Sequence, residues 1–217
     1  MDKLYHQIQN KYGLSNEVLD EILILCNDFL SAVILQNDYV INKLYNKKIH
    51  NCEWACRNVY IEIVKWLYNN RIENFNNHEI NIAAEYGYIE IVKFLHFNLH
   101  QNCTILAIVY AAYNGHLEVI KFLSSINSDC FTKKVMDIAA MKGQFEIVKW
   151  LHINRNEGCT TSAMNWAAKY GYFGMLKWLY SNRTEGFTGN AIYFAKKNGH
   201  EEIVEWLCEK VNKKVKK

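Results

Sequence analysis

The chain has 217 residues, half of them apolar, and 25 lysines and arginines against 22 acids leave a net charge of only +3. That composition excludes a disordered chain, and so small a charge gives no argument for nucleic acid as a partner. Mean hydropathy is −0.20, and no apolar run approaches the roughly 20 residues a membrane helix needs, so no membrane span is expected. The start, "MDKLYHQIQNKYG", has no apolar signal-peptide core. The expectation is an intracellular protein whose seven cysteines stay reduced, so that the Asn-x-Thr triplets at Asn102 and Asn182 carry no glycan. Proline is absent and Asn, Ile, Lys and Tyr are abundant, a bias that fits an AT-rich genome.

Residues 1–49 fit no repeat. The stretch "LSNEVLDEILILCNDFLSAVILQNDY" (14–39) is apolar with helical periodicity, and Ser15 or Asn16 is placed to cap a helix starting near Glu17. Two readings stand. In one, the segment is a cap over the exposed face of the first repeat unit. In the other it resembles a degenerate F-box, a family that begins L-P-x-E-[IVL]-L-x-x-I-[FL]. Leu14, Glu17, Val18, Leu19, Ile22 and Leu23 match, with Ser15 in place of the proline, and "DFLSAVIL" (28–35) stands slightly early for the second helix. That resemblance implies docking on the Skp-type adaptor of a cullin ubiquitin ligase, with the rest of the chain choosing the substrate.

From residue 50 to 209 one phrase recurs. Gly87, Gly115, Gly143, Gly171 and Gly199 follow one another at intervals of 28, and the preceding step falls on Val59 in "NVYIEIVKWL", the same phrase without its glycine. There are therefore about six units, the first degenerate, and a fixed period of this kind means a solenoid. Four and three residues before each glycine stand small pairs: Ala83-Ala84, Ala111-Ala112, Ala139-Ala140 and Ala167-Ala168, with Ala55-Cys56 in the first unit and Ala195-Lys196 in the last. Small residues there let two helices approach closely. The glycine ends the first helix of each unit in a left-handed turn.

A second helix follows, with Ile91, Val92, Phe94 and Leu95 in one unit matching Val119, Ile120, Phe122 and Leu123 in the next. Trp150, Trp178 and Trp206 take the place of Phe94 and Phe122, so the tryptophans are expected in the core rather than on a stacking platform. Glu90, Glu118, Glu146 and Glu202 suit the positive end of that helix, and Lys93, Lys121, Lys149 and Lys177 lie within reach for pairing one turn on. Between units, Phe75, Cys103, Phe131, Cys159 and Phe187 form a column of expected buried plugs. Thr104, Thr132, Thr160 and Thr188, or the polar residue after each, are expected to cap the next helix.

The phrase A-A-x-x-G-H-x-E-[IV]-[VI]-K-x-L resembles the ankyrin repeat over residues 50–217. Two features depart from that family. The period is 28 rather than about 33 residues, and the T-P-L-H start of the first helix is replaced by "LAIV" (106–109) and "SAMN" (162–165). The shortfall lies between units, so the usual β-hairpin finger is expected to be trimmed to a short loop. Short units with loops such as "EGCTT" (157–161) and "NRTEG" (182–186) look like the arrays of large amoeba-infecting viruses and some protists. The resemblance implies a non-catalytic scaffold that binds a protein, here one of the host, with no small-molecule substrate and no cofactor. It places the partner-facing residues between the alanine pair and the glycine: Arg57, Asn58, Glu85, Tyr86, Tyr113, Asn114, Met141, Lys142, Lys169, Tyr170, Lys197 and Asn198. It also implies that His116 and His200, just after the glycine, tie loops by hydrogen bonds.

Other constellations are poorer. Cys52 with Cys56, and His96 with His100, are each four apart, but neither pair has a second pair at zinc-site spacing. No phosphate loop, dinucleotide fingerprint or nucleophile elbow is present. The lysine-rich "EKVNKKVKK" (209–217) reads as a frayed, solubilising tail from residue 210, or as a nuclear-targeting signal. The expected fold is thus an all-α solenoid of stacked helical hairpins, in the host cytoplasm or nucleus.

Overall fold

Helical periodicity, small-residue pairs and a glycine at every turn produce paired helices and no strand among the described residues, which in this computed structural model are 61–69, 77–127 and 129–215. Both readings of 14–39, the residues Arg57, Asn58 and Phe75, and the pair Cys52 and Cys56 lie outside them. The chain divides into two compact units, 1–79 and 80–217. The first contains α1 (Ile61–Asn69), which buries Val64, and α2 (Asn77–Glu85) crosses into the second.

The second unit continues with α3 (Ile89–Leu99) and then four hairpins: α4 (Ile105–Asn114) with α5 (Leu117–Ile126), α6 (Lys133–Met141) with α7 (Phe145–Asn154), α8 (Thr161–Lys169) with α9 (Phe173–Asn182), and α10 (Gly189–Lys197) with α11 (Glu201–Val215). The first helices α4, α6, α8 and α10 stack directly on one another. Their alanine pairs explain the close approach, since Ala111, Ala112, Ala139, Ala140, Ala167 and Ala168 are all fully buried. The second helices line up behind them and bury Ile91, Val92, Leu95 and their equivalents. No described helix is long and apolar enough to cross a membrane.

Several of the expected local devices have a physical counterpart, while Lys177 has Gly174 in place of the acid and makes no ion pair among the described residues. Gly115 ends α4 at φ +90°, and the backbone N–H of His116 reaches back to the Ala111 carbonyl. Thr104, Thr160 and Thr188 cap α4, α8 and α10 through their hydroxyls, whereas Thr132 makes no cap bond. The difference lies one unit back. Thr104 meets Asn81, Thr160 donates from Oγ1 to Asp137 (2.7 Å), and Thr188 meets Asn165 (2.9 Å). The equivalent position before Thr132 is Val109, which has nothing to offer a hydroxyl. Glu90–Lys93, Glu118–Lys121 and Glu146–Lys149 pair on the second helices at 2.9, 2.7 and 2.5 Å. Cys103, Phe131 and Cys159 are buried plugs, while Phe187 is only half-buried.

One expectation needs correction. Phe94, Phe122, Trp150, Trp178 and Trp206 are half-buried rather than core. They lie behind the aliphatic row and join successive second helices edge-on: Trp178 meets Phe145 and His152, and Trp206 meets Phe173 and Tyr180, with ring centroids 5.1–5.9 Å apart. Trp166 belongs to neither set and lies on a first helix. α11 runs on through the start of the basic segment as far as Val215.

Among the described residues the inter-unit loops are short and strandless, as the trimmed period implies. Two are braced by arginine clamps. Arg155 pairs with Glu157, and Arg183 grips Glu185 with Nε at 3.2 Å and Nη2 at 2.5 Å. Glu185 also accepts from the Cys159 backbone N–H in the preceding loop, so the clamp links units. On α10, Lys196 stands exposed where the other described first helices bury an alanine, and Tyr193 stands exposed where α2, α6 and α8 carry Asn81, Asp137 and Asn165 and α4 carries Val109.

Candidate protein-binding face

On each first helix the alanine side packs inward, so the residues nine, five and two before the glycine share the opposite face at helical i, i+4, i+7 spacing. They read Leu106, Tyr110 and Tyr113 on α4; Lys134, Ile138 and Met141 on α6; Ser162, Trp166 and Lys169 on α8; Asn190, Phe194 and Lys197 on α10. Stacking of the helices sets these rows side by side as one continuous stripe. Leu106 is 51% exposed and Ile105 beside it 50%, values that a chain folding only for its own core has no reason to keep.

Side-chain contacts run along the stripe. Lys142 Nζ lies 4.0 Å from the Tyr113 ring centroid, and its hydrogen bond to Tyr113 holds the ammonium above its ordinary pKa. Trp166 stacks on Phe194 of the next unit (6.1 Å, 6° between planes) and on Tyr170 (6.1 Å, 22°). Lys169 Nζ sits among all three rings at 4.6–5.3 Å. This pre-arranged cluster costs a partner little ordering entropy on binding.

The turn between the two helices of a unit is a different kind of place. His116 donates from Nε2 to the Glu85 carbonyl (2.9 Å) and His200 donates from Nε2 to the Lys169 carbonyl (3.1 Å), one unit back in each case. A carbonyl only accepts, so both imidazoles carry their proton on Nε2. Gln144 does the same job to the Tyr113 carbonyl at 3.4 Å. These side chains lie flat against the preceding glycine. A Cβ on Gly87 would come within 2.4 Å of His116, one on Gly143 within 2.8 Å of the Tyr172 ring, and one on Gly199 would meet nothing. The glycines therefore serve inter-unit packing as well as the turn.

Of the residues expected to face a partner, Tyr86, Tyr113, Lys142, Tyr170 and Lys197 are exposed, and Met141, Lys169 and Glu85 half-exposed. Asn114 and Asn198 are exposed but engaged: Asn114 donates to the Glu85 carbonyl (2.9 Å) and Asn198 to the Phe194 carbonyl (2.7 Å). Tyr86 stacks on Tyr88. Sequence reasoning stopped at the end of each first helix and missed Leu106, Tyr110, Ile138, Trp166 and Phe194. A helical wheel opposite the alanine pair would have found them, because large apolar residues that vary from unit to unit do not belong to a repeated core.

Among the described residues the buried titratable groups are spent on packing and hydrogen bonds. Burial pushes the Cys159 thiol up to about 12 and the Cys103 thiol higher still, the neighbouring Cys130 adding to the second effect. Burial also raises Asp137, against the lowering effect of its bonds from Thr160. His96 donates from Nδ1 to the Gln101 carbonyl at 3.0 Å, and no group of three or more potential metal ligands gathers among the described residues.

The described hairpins use many of their polar groups to join neighbours and leave an apolar stripe open along α4, α6, α8 and α10, the architecture of a helical repeat array. The family model for ankyrin repeats in three copies matches residues 80–160 and 136–217. The chain belongs to the ankyrin repeat family, whose members typically mediate protein–protein interaction and are usually non-catalytic. No curated protein matches it significantly.

Proposed function

We propose that this protein is a non-catalytic interaction scaffold that holds a partner protein along the first-helix stripe. The observation that carries this reading is the row of exposed or half-exposed apolar residues, Leu106, Tyr110, Ile138, Trp166 and Phe194, on the side of α4, α6, α8 and α10 opposite the buried alanines. Aromatic anchors of this kind dominate interface energetics. Of the residues expected from the ankyrin likeness, Tyr113, Met141, Lys169 and Lys197 belong to the stripe, and Lys142 and Tyr170 stand beside it at the turns. The period of 28 and the proline-free, AT-biased composition support an intracellular setting in the host of a large DNA virus, with a host protein as partner.

The test is affinity capture with the full chain and with Tyr110→Ala/Trp166→Ala. The double variant keeps the helical spectrum and loses the captured protein. Undiminished capture would sink the reading. A second reading, favoured by the residue pattern at 14–39, makes the protein a substrate adaptor of a cullin ubiquitin ligase. In that case Leu19→Asp/Ile22→Asp in the full chain abolishes recovery of a Skp-type adaptor and cullin while the stripe partner is still captured. Absence of both ligase subunits from the wild-type capture would leave the scaffold reading alone.

A further inference from the structure

The charges of the second unit are divided by face. On the second helices Glu90, Glu118 and Glu146 each have a lysine partner, and α11 carries the further acids Glu201, Glu202, Glu205 and Glu209. In the loops Glu157 and Glu185 are neutralised by Arg155 and Arg183. The first helices α4, α6, α8 and α10 with their turns are different. Lys133, Lys134, Lys142, Lys169 and Lys197 border the stripe. Their only acid is Asp137, which is buried and accepts twice from Thr160. None of the five lysines is ion-paired among the described residues. One apolar stripe thus runs between cations that the protein itself leaves unmatched.

We infer that the segment bound on this stripe is an acidic protein segment with interleaved apolar side chains, the apolar ones seated on Leu106, Ile138 and Trp166 and the carboxylates on the flanking lysines. The inference rests on the scaffold reading above and gives its partner a chemistry. Charge complementarity is the argument: matched carboxylates speed encounter and exclude basic competitors. Protein is favoured over single-stranded nucleic acid by three features. Leu106, Ile105, Ile138 and Met141 offer aliphatic surface that bases do not use, and no arginine lies on the stripe. Trp166, Tyr170 and Phe194 stack on one another instead of standing apart as platforms for bases.

The experiment selects binders to the full chain from a random displayed peptide library, then measures the winners against wild type, Trp166→Ala and the triple variant Lys134→Glu/Lys142→Glu/Lys197→Glu, with circular dichroism confirming that each variant is folded. The expected winners are rich in Asp and Glu between apolar residues. They lose at least tenfold in affinity on Trp166→Ala and again on the triple variant, and they weaken as salt rises from 50 to 500 mM. Winners that depend on Trp166 but show no acidic excess, or that ignore the triple variant, would overturn the charge inference and leave the scaffold reading in place. Winners indifferent to Trp166 would remove the stripe itself. A 20-nucleotide oligo-dT bound more tightly than any peptide, and released by the triple variant, would replace the acidic segment with nucleic acid.

Discussion

Gly143 and Gly199 have nearly the same backbone, φ +74° and +75°, and different surroundings, so alanine at each separates two costs. At Gly199 a methyl group meets nothing, and only the left-handed conformation is penalised, by about 1–2 kcal/mol for an L-residue. At Gly143 the same penalty applies, and the methyl carbon falls 2.8 Å from Cζ of Tyr172, so the ring must move away from the turn. Forcing a packed side chain off its seat adds roughly 1–3 kcal/mol. Gly143→Ala is thus expected to cost about 2–5 kcal/mol and Gly199→Ala about 1–2. Gly115→Ala falls between, because the obstacle there is the flexible end of Gln144, and Gly115→Val costs roughly 1 kcal/mol or more. The assay is urea unfolding followed by both circular dichroism and tryptophan fluorescence. Coincident transitions license the free energies for a repeat array. Equal costs at Gly143 and Gly199 would refute the claim that the residue after each glycine locks onto the unit before it.

Threonine caps give a second comparison: Thr160→Ala and Thr188→Ala should each cost about 1 kcal/mol, and Thr132→Ala only a few tenths, in the same unfolding assay. The hydrogen bond from Arg183 is the first cause holding the Glu185 carboxyl down to about 2. Its folded value lies below its unfolded one, so its contribution is complete above about pH 4.5 and is lost as pH falls toward 2. Allowing for solvent screening of this part-exposed clamp, roughly 1–2 kcal/mol is at stake. Glu185→Gln should therefore destabilise the protein at pH 7 and lose that effect near pH 2. For the thiols, iodoacetamide at pH 7.5 with peptide mapping should label exposed Cys208 first and leave Cys103 and Cys159 unlabelled until denaturant is added, since both are buried with pKa values pushed well above neutrality.

Much of the fold was legible because its signals are local. A glycine after an alanine pair, a threonine before a helix, and a Glu three residues from a Lys each declare themselves within a few positions. What the sequence concealed is carried by contacts across about one repeat. Asn81 reaches Thr104 and Asp137 reaches Thr160 in the next unit, and His116 reaches the Glu85 carbonyl in the unit before. Such columns are visible as a 28-residue rhythm, but which column touches which is settled only by stacking. The tryptophans show the same limit. Periodicity located Trp178 and Trp206 correctly on the second helices but could not say that they bridge units from behind the aliphatic row. Trp166, out of phase with them, was the residue whose position pointed most directly to the stripe. The twelve expected partner-facing residues were found from family likeness at the turns, so the helix face beside them was passed over.

The central claim is that partners are held on the first-helix stripe and not on the second helices. A photo-crosslinking residue placed in the full chain at Tyr110, and separately at Phe97, which is 63% exposed on α3, tests it most directly. The account predicts partner adducts from position 110 and none above background from position 97. Adducts from Phe97 alone, or equally from both, would contradict it.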